Sequence, residues 1–254
     1  MMNKYISAAL GVCLFSTTAQ SADITSSFYI PTKTVMSDTS FTYGHSVVKN
    51  NAADTKTKSY TQALKEELTY GFNDAVALRV SGTRNWAKTA GSDNHSNSNT
   101  SGIGALWKPI NGTHFKLLTT FDFTNVSDKK SYAGMVQFGY LPVSNWTLLA
   151  RFYYTEARDN GSNTHEPAVQ LGVYTKQGKV SGFAGIRYGE QDQQYQKITK
   201  ATTLAVNADY QFNDKLALGI RTTYLLDKEV RDKAADPRDK FENYSVGINL
   251  RYVF

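Results

Sequence analysis

The final eleven residues, Tyr244-Ser-Val-Gly-Ile-Asn-Leu-Arg-Tyr-Val-Phe254, alternate strictly between an apolar set (Tyr244, Val246, Ile248, Leu250, Tyr252, Phe254) and a set containing Ser245, Gly247, Asn249 and Arg251. A period of two sends successive side chains to opposite faces of a strand, so this segment separates an apolar surrounding from an aqueous one. The alternation recurs upstream. Residues 216–227 set Leu216, Leu218, Ile220, Thr222, Tyr224 and Leu226 against Ala217, Gly219, Arg221, Thr223 and Asp227. Residues 204–212 set Leu204, Val206, Ala208, Tyr210 and Phe212 against Ala205, Asn207, Asp209 and Gln211. Trp146, Leu148, Ala150, Phe152 and Tyr154 likewise oppose Thr147, Arg151, Tyr153 and Thr155. The pattern weakens near the start, where Glu66 and Arg84 fall on the apolar face. Either those positions lie near an interface or a bulge exchanges the faces, and the register of the first two strands stays open.

These runs are joined alternately by tight turns and longer polar loops. The expected turns are residues 71–74, 109–112, 142–145, 176–179 and 212–215, each carrying Asn, Asp, Gly or Pro to supply turn dihedrals. The expected loops are 49–58, 87–100, 126–130, 158–165, 191–197 and 228–240. Five turns and six loops imply about twelve antiparallel strands with both termini on the short-turn side. The fold class read from the pattern is all-β: a transmembrane, up-and-down barrel of about 12 strands, closed because an open edge would leave unpaired backbone groups in hydrocarbon.

Composition agrees with this reading. A hydrophobic fraction of 41% would suit a soluble protein, yet only alternate residues of a barrel strand touch lipid, so average hydropathy stays low. The 16 Tyr, 13 Phe and 3 Trp suit strands and interfacial aromatic girdles. At the other end, Lys4, an apolar run over residues 5–15 and the small residues up to Ala22 read as a secretory signal peptide cleaved after Ser21 or Ala22. The apolar run is far short of the roughly 20 residues a spanning helix needs. Residues 1–22 are therefore taken as the signal and 23–254 as one barrel domain. Cys13, preceded by the branched Val12 rather than a small residue, is a poor lipoprotein site. Removing it leaves no thiol, disulfide or cysteine metal site in the mature chain.

The terminal aromatic and the apolar residues at every second position before it resemble the C-terminal assembly signal of bacterial outer-membrane β-barrels. The resemblance implies that Tyr252 and Phe254 belong to a signal read by the barrel-assembly machinery, that the protein resides in the bacterial outer membrane, and that its partners include outer-membrane lipids and lipopolysaccharide.

The same alternation sends Lys65, Arg79, Lys108, Lys116, Arg151, Arg187, Arg221 and Arg251 inward, opposed by Glu67, Asp122 and Asp209. The formal charge of +6 falls to +5 once Lys4 leaves with the signal, and the inward set accounts for much of it. Fixed cations in a low-dielectric tube concentrate anions. The expected function is a passive, porin-like channel for small polar or anionic solutes. In architecture it is similar to the small outer-membrane channels for acidic sugars, with about twelve strands and basic lumens. A second reading pairs these arginines with Asp122, Asp209 and Glu67 in a closed structural or adhesive barrel acting through its surface loops.

A lipid hydrolase is the third reading, and the residues give it little. His45 adjoins Ser46 on opposite strand faces, His95 lies in a Ser/Asn-rich loop, His114 stands inward beside a turn, and His165 ends a loop. No His-x-Ser pair falls on a strand, so no catalytic residue is assigned. Gly102-Ile-Gly104 lacks the spacing of a nucleotide site, and no cofactor or metal is expected. Charges are spread along strands and loops rather than clustered, which speaks against nucleic acid. The mixed charges of residues 228–240 are candidates for lipopolysaccharide phosphates or divalent ions.

Overall fold

In the computed structural model the described residues are 23–50, 54–91, 95–126, 129–159, 162–193, 197–232 and 240–254. The expected signal peptide and Cys13 lie outside them. Twelve strands follow in order: β1 (Val35–Asn50), β2 (Thr55–Gly71), β3 (Val76–Thr89), β4 (His95–Asn111), β5 (Phe115–Val126), β6 (Lys129–Val143), β7 (Trp146–Asp159), β8 (Ser162–Gln177), β9 (Val180–Gln193), β10 (Lys197–Gln211), β11 (Leu216–Asp232) and β12 (Lys240–Val253). Each pairs antiparallel with its neighbours, and β1 closes on β12, with Met36 opposite Val253 and Lys49 opposite Lys240. The terminal residue secures the closure: the Phe254 amide donates to Val35 O at 3.0 Å, and the Thr34 hydroxyl donates to Phe254 O at 2.8 Å.

Among the described residues, thirty-four large apolar or aromatic side chains are exposed, from Phe41 to Phe254, nearly all at outward positions of the strands or just past their ends. An apolar surface on this scale has no counterpart on a soluble monomer and is covered by lipid. Edge-to-face pairs repeat where even strands reach the short-turn rim: Tyr70–Phe72, Tyr210–Phe212 and Tyr252–Phe254, with centroids 5.3, 4.9 and 5.0 Å apart. They form part of the aromatic girdle expected at that interface.

Turn chemistry is repetitive too. In the β2–β3 and β10–β11 turns, Asn73 and Asn213 each accept two backbone amides on their side-chain oxygens at 2.8–2.9 Å. The β8–β9 hairpin turns on two residues, with Gly178 at φ 58° supplying the left-handed conformation. Two expected turns begin later than their prolines suggested. Pro109 and Pro142 lie inside β4 and β6, within the register shifts at Trp107/Ile110 and Tyr140/Val143. A bulge leaves a ladder position unpaired, which suits a residue without an N–H.

The long loops are much shorter than their polar sequence implied. His95 and Asn97 belong to β4, with His95 opposite Lys88, and β11 continues to Asp232. Polar residues continue these strands because backbone pairing, rather than apolar burial, holds the sheet above the membrane. A 17-residue strand spans about 56 Å at about 3.3 Å per residue, well beyond an apolar band of about 25 Å even when tilted.

The first two strands pair without a shift from Val35/Tyr70 to Asn50/Thr55, so no bulge explains Glu66. Its carboxylate lies on the lipid-facing wall, where the Ser37 hydroxyl donates to Oε1 at 2.6 Å and the Thr39 hydroxyl to Oε2. Arg84 is also outward, stacked 5.4 Å above the Trp86 ring. A bulge does occur in β11, where Thr202 faces Asp227 and Thr203 faces Leu225. The extra residue, Leu226, turns Asp227 onto the outer face, contrary to the uninterrupted alternation read from the sequence.

Candidate functional site: the barrel lumen and its N-terminal segment

Residues 23–34 are not part of the wall. They cross the inside of the barrel at its short-turn end, and they are the feature the alternation could not reveal. Ile24, Phe28 and Ile30 are 0%, 4% and 4% exposed, which no surface tail would be. Two apolar seats hold them. Ile24 packs with Met36, Ala217 and Val253 where β1, β11 and β12 meet. Phe28 and Ile30 pack with Ala77, Leu106, Leu118, Leu149 and Phe183 from β3, β4, β5, β7 and β9. Gly139 makes the second seat possible: a Cβ there would stand 2.7 Å from the Phe28 ring.

Polar contacts fix the direction of the segment. Asp23 accepts Lys176 Nζ at 2.9 Å and the Tyr174 hydroxyl at 2.7 Å, while the Thr25 hydroxyl donates to it at 2.6 Å. The buried Ser181 hydroxyl donates to Thr25 Oγ1 at 2.8 Å. Desolvation pushes the Asp23 carboxyl up, but the Lys176 ammonium and the two hydroxyls outweigh it and hold the group below its ordinary value. The Ile24 carbonyl accepts from Arg251, Ser27 Oγ accepts from Gln137 at 3.0 Å, and the Phe28 carbonyl accepts from Lys108 at 3.5 Å. Lys33 leaves the segment with φ 54° and donates to Gly71 O at 2.7 Å.

Above this segment the inward charges fall into two groups. Most of them meet carboxylates. Arg79 donates through Nε to Asp122 at 2.6 Å and through Nη2 to its other oxygen, with Glu67 3.7 Å away. Lys65 reaches Glu67 at 2.8 Å. Arg251 and Arg221 converge on Asp38 at 2.7 and 3.5 Å. Asp209 is approached by Asn249 Nδ2 at 3.5 Å, and Arg187 reaches Glu166 at 2.9 Å while stacking 5.0 Å over Tyr153.

Lys108, Lys116 and Arg151, on β4, β5 and β7, form the other group. Among the described residues no carboxylate lies within ion-pair distance of them. Arg151 donates to Gln137 at 2.5 Å and Gln170 at 2.9 Å, and lies 4.9 Å over the Phe183 ring. Lys116 lies 6.0 Å over the Phe28 ring. The sequence reading paired none of the cations with Asp38, Glu166 or Asp23, which stand 213, 21 and 153 positions from the cations they meet. Register brings Asp38 opposite Arg251, and the path of the N-terminal segment brings Asp23 to Lys176.

The histidines are dispersed. His45 is held between Tyr60 and Tyr244, at 5.1 and 5.2 Å between ring centroids. His165 Nδ1 lies 3.0 Å from the Tyr154 hydroxyl. His114 is exposed at the β4–β5 turn, its Nδ1 3.4 Å from Leu141 O.

No protein-family model matches the chain, and no curated protein matches it by sequence. Among solved structures it is similar to the COG4313 outer membrane channel from Pseudomonas putida F1, with TM-score 0.68 and 13% identity over 93% of this chain and 100% of that one. It is also similar to the NanC porin, with TM-score 0.52 and 13% identity over 84% and 98% of the two chains. A third likeness is to the beta domain of the Bordetella autotransporter BrkA, with TM-score 0.55 and 11% identity over 86% and 100%. At these identities the likeness is one of fold. Together with the apolar outer wall, it makes the chain a transmembrane antiparallel β-barrel of the bacterial outer-membrane type, seated in the outer membrane.

Proposed function

We propose that the protein is a porin-like channel for small polar or anionic solutes, and that its own N-terminal segment closes the short-turn mouth. The observation supporting this is the combination of a closed tube, a polar inner wall with more cations than carboxylates, and a segment seated by side chains from nearly every strand. In the seated state the barrel conducts little. Movement of the segment opens the mouth, and anions then pass along Lys108, Lys116 and Arg151 on β4, β5 and β7, which among the described residues have no carboxylate within ion-pair distance. Positive charge in a narrow lumen attracts anions most where water screens it least.

The seated segment equally favours the second reading, a permanently closed barrel that works through its loops. Planar-bilayer recording separates the two. The channel reading expects a rise in conductance when residues 24–32 are deleted from the mature chain, with an anion-selective reversal potential in a salt gradient. A closed interior with and without the segment supports the loop reading. On the same footing we take residues 1–22 as a cleaved signal, Tyr252 and Phe254 as the assembly signal, and lipopolysaccharide as the partner of the long-loop side.

A further inference from the structure

We propose that the seat of Phe28 is a binding site for a small amphipathic anion, a carboxylate carried on an apolar ring, which competes with the N-terminal segment for the same wall. The seat is occupied by an aromatic ring, that of Phe28, which is 4% exposed. A Cβ at Gly139 would stand 2.7 Å from two atoms of the Phe28 ring, and Leu118, Leu149 and Phe183 of the barrel wall complete an apolar slot that Ile30 of the segment shares. When the segment leaves, the slot remains.

The slot is bordered by charge that the segment satisfies poorly. Lys108 donates to the neutral carbonyl of Phe28 at 3.5 Å, with Asp74 acting on it from beyond ion-pair distance, and Lys116 lies 6.0 Å over the Phe28 ring; among the described residues neither lies in an ion pair. Arg151 reaches the segment indirectly, through Gln137 to Ser27. The other inward cations, such as Arg79, Arg187 and Arg251, have carboxylates of their own. A hydrogen bond to an ionised acceptor is about twice as strong as one to a neutral acceptor. A ligand placing its ring where Phe28 lies and its carboxylate between Lys108 and Lys116 therefore makes the apolar contacts of the segment together with better polar ones. An acidic sugar fits this slot badly, because its hydroxyls would be desolvated against Leu118, Leu149 and Phe183 without partners. The consequence for gating, that such a solute loosens the segment on entering, rests on the channel reading; the binding itself does not.

The test uses 4-fluorophenylacetate as probe and fluorine NMR titration of the full mature chain in detergent, with heat-modifiable gel migration to show that each variant is folded. Phe28→Ala is expected to bind the probe at least about tenfold more tightly than wild type, because the competing ring is gone. In the Phe28→Ala background, Lys116→Met and Gly139→Leu are each expected to weaken binding about tenfold or more, the first through the charge and the second through the slot. Acetate and benzyl alcohol, each carrying half of the recognition, are expected to compete poorly. Equal affinity in wild type and Phe28→Ala overturns the proposal. So does acetate competing as well as the ring acid, or indifference to Lys116→Met, which keeps the test decisive if Gly139→Leu fails to fold. A chain that binds the probe but conducts with neither its segment in place nor removed keeps the site and removes the channel. One that conducts and ignores the probe does the reverse.

Discussion

Replacing Ile24 by Ala should unseat the N-terminal segment while leaving the barrel wall intact. The side chain is fully buried among Met36, Ala217 and Val253, and none of the interstrand hydrogen bonds depends on it. Truncating a buried Ile to Ala costs about 2–5 kcal/mol. The lower part of that range applies, because the segment can settle partly into the gap. At about 1.4 kcal/mol per tenfold, a loss of about 2–3 kcal/mol shifts the seated-to-released ratio by roughly 30- to 150-fold. A cysteine at position 27 reports the shift directly, since the only cysteine of the chain, Cys13, falls in the expected signal. Its reaction rate with a water-soluble thiol reagent should rise, by up to that factor because Ser27 is already partly exposed in the seated state, in Ser27→Cys/Ile24→Ala relative to Ser27→Cys alone. The gel shift of the folded barrel should stay unchanged. Equal labelling rates in the two chains would refute the idea that burial of Ile24 holds the segment in place.

Three further outcomes are expected. Acidification should release the segment, with the sign set by Asp23: its carboxyl is held below the ordinary value of 3.8, so its stabilising contribution is present at neutral pH and is lost as pH falls through that depressed value. Labelling of Ser27→Cys, normalised at each pH to the same chain unfolded because the thiolate fraction itself falls with pH, should accordingly climb only below about pH 4, and Asp23→Asn should raise it at pH 7. Lys116→Ala and Arg151→Ala, made in a chain lacking residues 24–32, should each lower the anion preference in reversal-potential measurements, whereas Arg84→Ala, on the outer wall, should leave it unchanged. Phe254→Ser should reduce the yield of heat-modifiable barrel, because it removes an exposed interfacial aromatic paired with Tyr252; unchanged yield would show that the terminal aromatic is not an assembly signal.

The sequence carried the wall of this barrel far better than its interior. Alternation is a local property, so Leu216 to Tyr224 or Tyr244 to Phe254 declare their faces without knowledge of any partner. A bulge such as that at Leu226 leaves no comparable mark, because one unpaired residue changes two hydrogen bonds and no composition, and Asp227 was misplaced for that reason. Glu66 was read on the correct face but looked anomalous; its hydroxyl partners Ser37 and Thr39 come from the neighbouring strand and are visible only once register is known. The N-terminal segment was missed altogether. Its signal was present in Ile24, Phe28 and Ile30, three large apolar residues within a short stretch too irregular to be a strand. Such residues must be buried somewhere, and a chain end on the short-turn side can bury them only inside the tube.

The most direct test of the account is single-channel recording of the mature chain with and without residues 24–32, in a salt gradient. The account predicts small or rare openings from the intact chain, frequent and larger openings from the shortened one, and a reversal potential favouring anions. Identical silence from both, or cation selectivity in the shortened barrel, would contradict it.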